Sequence, residues 1–253
     1  MRNKLVKDVR PKLPDLSLVS PFLRSGDTLE PPERAETGEG AEGPDFPAGR
    51  AELTEVFASG GDAGAIGFAL AQLPAGKPLL WVQDRLSALE AGRPHGGGLK
   101  RFGADPDRLV LVCARDAGDV LWTMEEGLKC AALGGVIGEV WGAARALDFT
   151  ASKRLALRAE RTGIPVTLLR FSAPEDLSAA RRRWRVTSLP SAPHPGDPKA
   201  PGAPRWRAEL FRARDRTPGV WEAEYDGAAH RLRLAPALPD PALAPAQFRA
   251  ASG

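Results

Sequence analysis

With 43% hydrophobic and 26% charged residues over 253 positions, the chain has the make-up of a soluble globular protein and the length for one full α/β core. No window holds the roughly 18 uninterrupted apolar residues of a membrane span, and Met1-Arg2-Asn3-Lys4-Leu5 has charge with no apolar stretch behind it. Neither a span nor a signal peptide is therefore expected, and a cytoplasmic location follows.

The net charge of +3 is unevenly spread. From Arg181 to Arg233 eleven Arg and one Lys stand against three Asp and three Glu, a net of +6; Asp27 to Asp45 carries two Asp and five Glu against Arg34, a net of −6. An arginine-rich third of this kind suits either an anionic partner or a solvated sheet face. The two cysteines, Cys113 and Cys130, are expected to be partly buried thiols. With His95, His194 and His230 they form no zinc-ligand spacing, so no metal is expected.

Residues 1–50 hold Pro11, Pro14, Pro21, Pro31, Pro32, Pro44 and Pro47 among acidic and small residues, and read as mostly disordered. Leu13 to Leu23, with Leu16, Leu18, Val19 and Phe22, is the exception: a docking segment or a strap. From Ala51 the pattern turns to alternating strands and helices. Leu53 to Phe57 reads as a strand; Asp62 is placed to cap a helix whose Ile66, Leu70 and Leu73 repeat on one face. Between them, Ala58 to Ala65 has the length of a phosphate-binding loop. Such a loop needs Gly, four residues, then Gly-Lys-Ser/Thr: glycines to wrap phosphate, lysine to neutralise it, a hydroxyl for Mg²⁺. Here those positions hold Ala58, Ala63, Gly64 and Ala65, a degenerate loop without the grip on phosphate.

Further strands are predicted at Pro78 to Gln83, Leu109 to Cys113, Gly135 to Trp141 and Ile164 to Phe171. A short helix is predicted at Gly98 to Phe102, one opened by Asp116 with Val120, Leu121, Met124 and Leu128 inside, and one from Asp148 to Thr162 stopped by Gly163. The alternation implies right-handed crossovers and a largely parallel sheet. Arg183 to Leu189, Arg205 to Arg214, Val220 to Tyr225 and His230 to Leu234 read as strands, the last three as an antiparallel extension. Ser191 to Pro204 reads as a Pro-rich loop. Residues 235–253 read as a flexible tail, its short apolar patch around Phe248 being either a docking tip or nothing.

The order of elements resembles a RecA core. Arg108-Leu109-Val110-Leu111-Val112, Leu121-Trp122-Thr123-Met124-Glu125-Glu126-Gly127-Leu128, Leu155-Ala156-Leu157-Arg158-Ala159-Glu160-Arg161, Arg183-Trp184-Arg185-Val186 and Pro204-Arg205-Trp206-Arg207-Ala208-Glu209-Leu210 are similar to the ImuA family, the RecA-like accessory proteins of a bacterial damage-inducible mutagenesis cassette. The resemblance covers about residues 50–234. It implies a P-loop-NTPase-type α/β domain over 51–234, and a non-catalytic adaptor in SOS-type translesion synthesis. The implied partners are an ImuB-type Y-family-like polymerase protein, RecA, the error-prone C-family polymerase and single-stranded DNA, with no membrane partner and no cofactor.

Carried over from RecA, the water-activating glutamate falls on Arg85, the Walker B carboxylate on Glu139, and the nucleotide sensor near Arg170 and Phe171. The DNA loops become Trp141 to Asp148 and Ser172 to Ala180. The residues implied in nucleic-acid or partner binding are Arg181, Arg182, Arg183, Arg185, Arg205, Arg207, Arg212 and Arg214, the last two in the i, i+2 relation of trans-acting lysines. Trp184 or Trp206 would offer a stacking surface. The same scaffold also fits an SOS cell-division inhibitor of the SulA kind, binding the tubulin-like division protein. A divergent ATPase built on Glu139 is the enzymatic alternative.

Overall fold

The central feature is a nine-stranded sheet, seen in a computed structural model that describes residues 48–236. In chain order its elements are β1 (Leu53–Ala58), α1 (Gly64–Leu70), β2 (Leu79–Asp84), α2 (Arg85–Glu90), α3 (Gly96–Arg101), β3 (Leu109–Ala114), α4 (Ala117–Gly127), β4 (Gly135–Trp141), α5 (Phe149–Thr162), β5 (Val166–Phe171), β6 (Arg182–Leu189), β9 (Arg205–Ala213), β10 (Gly219–Asp226) and β11 (Arg231–Pro236). A separate pair, β7 (Pro193–His194) and β8 (Asp197–Pro201), lies between β6 and β9. The strand order is β11-β10-β9-β6-β1-β5-β4-β2-β3. The stretch from β6 to β3 is parallel throughout, and β9, β10 and β11 extend it antiparallel. This is an α/β protein with a mostly parallel sheet, consistent with a RecA-like fold. Segments 1–47 and 237–253, with the docking segment read at Leu13 to Leu23 and the tip at Phe248, lie outside the described residues.

Period-two alternation divides the strands between two cores. Val56, Leu169, Phe171, Trp184, Trp206 and Leu210 pack with Phe68 of α1, whose ring meets Trp184 edge-on at 5.4 Å and Trp206 at 5.9 Å. Leu53, Val82, Val136, Val166 and Leu168 pack with Val120, Met124 and Leu155 of α4 and α5. Each large side chain of this kind contributes about 1.5–3 kcal/mol on burial. Helix α1 comes so close to α3 that a Cβ on Gly67 would lie 2.4 Å from the Phe102 ring. On β9, β10 and β11 the face turned away from α1 is open, and Arg207, Arg212, Arg231 and Arg233 are exposed there.

The local signals read at Asp116, Asp148 and Gly163 hold. Asp116 and Asp148 accept the amides of Asp119 at 3.0 Å and Ala151 at 2.7 Å, and Gly163 ends α5 at φ 75°. Four expectations are corrected. Ala63, not Asp62, stands at the N-cap of α1, in helical conformation and without a side-chain cap. Strand β2 runs on to Asp84, which caps the unforeseen α2 by accepting the Ser87 amide at 2.6 Å. The Pro-rich segment 191–204 carries the β7–β8 hairpin. Cys113 and Cys130 are both exposed free thiols. No helix among the described residues is long and apolar enough to cross a membrane.

Candidate functional site at the carboxyl ends of the parallel strands

The connection from β1 to α1 is where an α/β protein of this topology binds phosphate, because loop amides and helix start converge there. In this chain the converging donors meet an internal carboxylate. Asp62 Oδ1 accepts the Gly64 amide at 3.1 Å and the Ser188 hydroxyl at 2.5 Å, and Oδ2 accepts the Ser188 amide at 2.7 Å. Trp206 Nε1 donates to the Gly64 carbonyl at 2.8 Å from the other side. The loop is also pressed from the strand ends. A Cβ on Gly60 would lie 2.6 Å from the Trp141 ring and 2.8 Å from Ser172 Oγ, and Trp141 itself stacks on Phe171 at 5.7 Å.

Behind this loop sits Glu139, which is fully buried on β4. Its Oε2 accepts Trp81 Nε1 at 3.1 Å and Gln83 Nε2 at 2.9 Å. Burial pushes its carboxyl above the ordinary glutamate range; the two hydrogen bonds oppose that rise, and the nearby Asp84 carboxylate adds to it. Asp84, also buried, ties the start of α2 to the end of β4 through the Ser87 amide and the Trp141 amide at 3.4 Å. Arg85 is exposed on α2. Asp84 was missed by sequence reasoning, although Asp84-Arg85-Leu86-Ser87 has the capping spacing that would have revealed it. Among the described residues no three His, Cys, Asp or Glu side chains gather as a metal site.

The eight candidate arginines do not form one patch. Arg182 is buried between Glu52 at 3.3 Å and Asp215 at 3.0 Å, on the α1 side of the sheet. Arg183 is buried on the opposite side, against Glu55 at 2.7 Å. Arg181 pairs with Glu160 at 2.5 Å, Arg185 with Glu175 and Glu209, and Arg205 with Glu222. Two carboxylate hydrogen bonds push the Arg185 guanidinium above its ordinary range. Arg207, Arg212 and Arg214 are exposed. Trp184 and Trp206 are core residues, 1% and 2% exposed, so neither is a stacking surface. An open cleft of about 410 Å³ lies at the opposite end of β1, lined by Arg50, Glu52, Glu160, Arg181 and Asp215.

A mostly parallel α/β sheet with an antiparallel extension is consistent with a RecA-like fold. No family model matches the chain. Over 165 residues it is 34% identical to Protein ImuA of Caulobacter vibrioides (strain NA1000 / CB15N), and equally to Protein ImuA of strain ATCC 19089 / CIP 103742 / CB 15. The chain is thus similar to these ImuA proteins over most, but not all, of its length. The aligned stretch is 61% of this chain and spans 63% of the relatives' length.

Proposed function

We propose that the chain is a non-catalytic RecA-like adaptor in damage-inducible mutagenesis, assembling with an ImuB-type polymerase-like protein. RecA, the error-prone C-family polymerase and single-stranded DNA are its further candidate partners. The similarity to Protein ImuA of Caulobacter vibrioides supports the setting. The observation that carries the non-catalytic part is the Asp62 carboxylate in the β1–α1 loop, which takes up the loop's Gly64 amide and is held by the amide and hydroxyl of Ser188 on β6. A phosphate arriving there would have to displace a carboxylate that already holds three donors, without a lysine at Gly64 to repay its charge. Ala65 supplies no hydroxyl for Mg²⁺, and Arg85 cannot act as a base. The phosphate loop is degenerate in this reading, and Glu139 is a buried structural acid hydrogen-bonded to Trp81 and Gln83.

Affinity purification of the full chain from DNA-damaged cells tests the proposal. An ImuB-type polymerase-like protein among the captured partners is the expected result. Capture of the tubulin-like division protein, without a polymerase subunit, would overturn it.

A further inference from the structure

The side of the sheet facing α5 carries a stack that the adaptor reading does not use. Along β5, β1, β6 and β9, guanidinium groups and rings alternate. Arg170 lies 5.4 Å from the centre of the Phe57 ring, Arg183 lies 5.1 Å from both Phe57 and Phe211, and Arg185 lies 4.3 Å from Phe211. At its inner end Arg170 and Arg183 are 2% and 3% exposed. One carboxylate, the fully buried Glu55, serves both. Its oxygens are already engaged, Oε2 by Arg183 Nε at 2.7 Å and Oε1 by Ser178 Oγ at 2.7 Å. Among the described residues, Arg170 Nε and Nη2 and Arg183 Nη2 have no hydrogen-bond partner.

Two buried cations against one buried anion leave a net formal charge of +1 away from water. A buried charge is normally paired, because the loss of solvation costs several kcal/mol per ion. Stacking on Phe57 offsets about 0.5–2 kcal/mol of this, and it leaves the N–H groups in the guanidinium planes unspent. A group with negative charge and more than one oxygen would suit these donors, since a guanidinium fork matches such a group with two parallel hydrogen bonds. The chain leaving β5 runs past this stack, with Glu175 bonded to Arg185 and Ser178 to Glu55, and Ser172, Pro174, Glu175, Asp176 and Leu177 are exposed. Ser172 has φ 48°, so the chain turns sharply as it leaves β5. Asp176 on this segment is close enough for its charge to act on Arg170, but does not bond Arg170 Nε or Nη2.

We infer that Arg170 forms a binding site for one oxyanion group, a phosphate or a carboxylate, with Arg183 adding its charge from across the Phe57 ring, the group entering beneath residues 172–177 at the carboxyl ends of β1 and β5. The site stands whether or not the adaptor reading does. Free phosphate, a polynucleotide phosphate and a carboxylate share the chemistry, and separate titrations distinguish them.

The test is the melting temperature of the full chain in inorganic phosphate, in acetate and in a single-stranded oligonucleotide, each against chloride at equal ionic strength, for the parent and Arg170→Met. The parent is expected to melt about 3 °C or more higher in at least one of the three, and Arg170→Met to show no such rise. A response to phosphate alone names the free ion, to acetate a carboxylate, and to oligonucleotide at far lower concentration a polynucleotide. Equal rises in parent and variant, or no rise in any of the three, would overturn the inference. Should Arg170→Met fail to fold, the arginine Nε–H resonances of the parent give a second readout. At least one of them moving saturably with added anion supports the site; none moving refutes it.

Discussion

Asp62 joins two parts of the chain that are 126 residues apart, and it does so with charge-assisted hydrogen bonds. Asp62→Ala should cost about 0.5–1.5 kcal/mol in urea unfolding, since the exposed Ser188 donors turn to water when their acceptor is removed. It should not create nucleotide affinity, because Gly64 and Ala65 still lack the lysine and hydroxyl. Glu139 gives a prediction with a defined pH direction. Its folded pKa is raised above the ordinary value of 4.5, so the stability it contributes is fully present below that value and is lost as pH rises through the folded pKa. Glu139→Gln has no charge to desolvate. The stability of Glu139→Gln relative to the parent should therefore climb between about pH 4 and pH 7. Denaturant midpoints at both pH values check this; a flat or falling difference would show that the buried carboxyl ionises without penalty.

Among the elements, α5 and α1 differ in how much of them the sequence discloses. Helix α5 is bounded by Asp148 and Gly163, whose effects act within a turn of their own positions, so both ends are legible. Asp148→Ala should cost about 1 kcal/mol, read as a shift in denaturant midpoint. Helix α1 is positioned instead by distant contacts with Phe102, Trp184 and Trp206. Gly67→Ala raises intrinsic helix propensity yet forces a methyl into the Phe102 ring, and should destabilise by about 1–3 kcal/mol. A gain in stability would mean that α3 yields easily. The six residues of α2 escaped notice because Leu86 and Leu89 face solvent, so the segment shows no buried apolar stripe. The arginines of β6 read as one basic run for a related reason. A strand sends neighbours to opposite faces, and the carboxylates that neutralise Arg182 and Arg183, namely Glu52, Glu55 and Asp215, come from elsewhere in the chain.

For the whole molecule, the sheet has a face closed by helices over its parallel half and an open, charged face over β9, β10 and β11. On that open face Arg185, Arg205 and Arg233 pair with Glu209, Glu222 and Asp226, so it presents interleaved charges rather than a uniform basic surface. Binding of single-stranded DNA through exposed Arg207, Arg212 and Arg214 would weaken steeply between 50 and 200 mM salt, as phosphate contacts through counterion release must. The non-catalytic part of the proposed function rests on a β1–α1 loop whose Gly64 amide is already taken by its own Asp62. The most direct measurement is a calorimetric titration of the full chain with ATP and Mg²⁺. No saturable heat up to about 1 mM, where a bound nucleotide would still register about 4 kcal/mol of affinity, is the expected result. A micromolar dissociation constant that Glu139→Gln or Gly60→Val abolishes would contradict it.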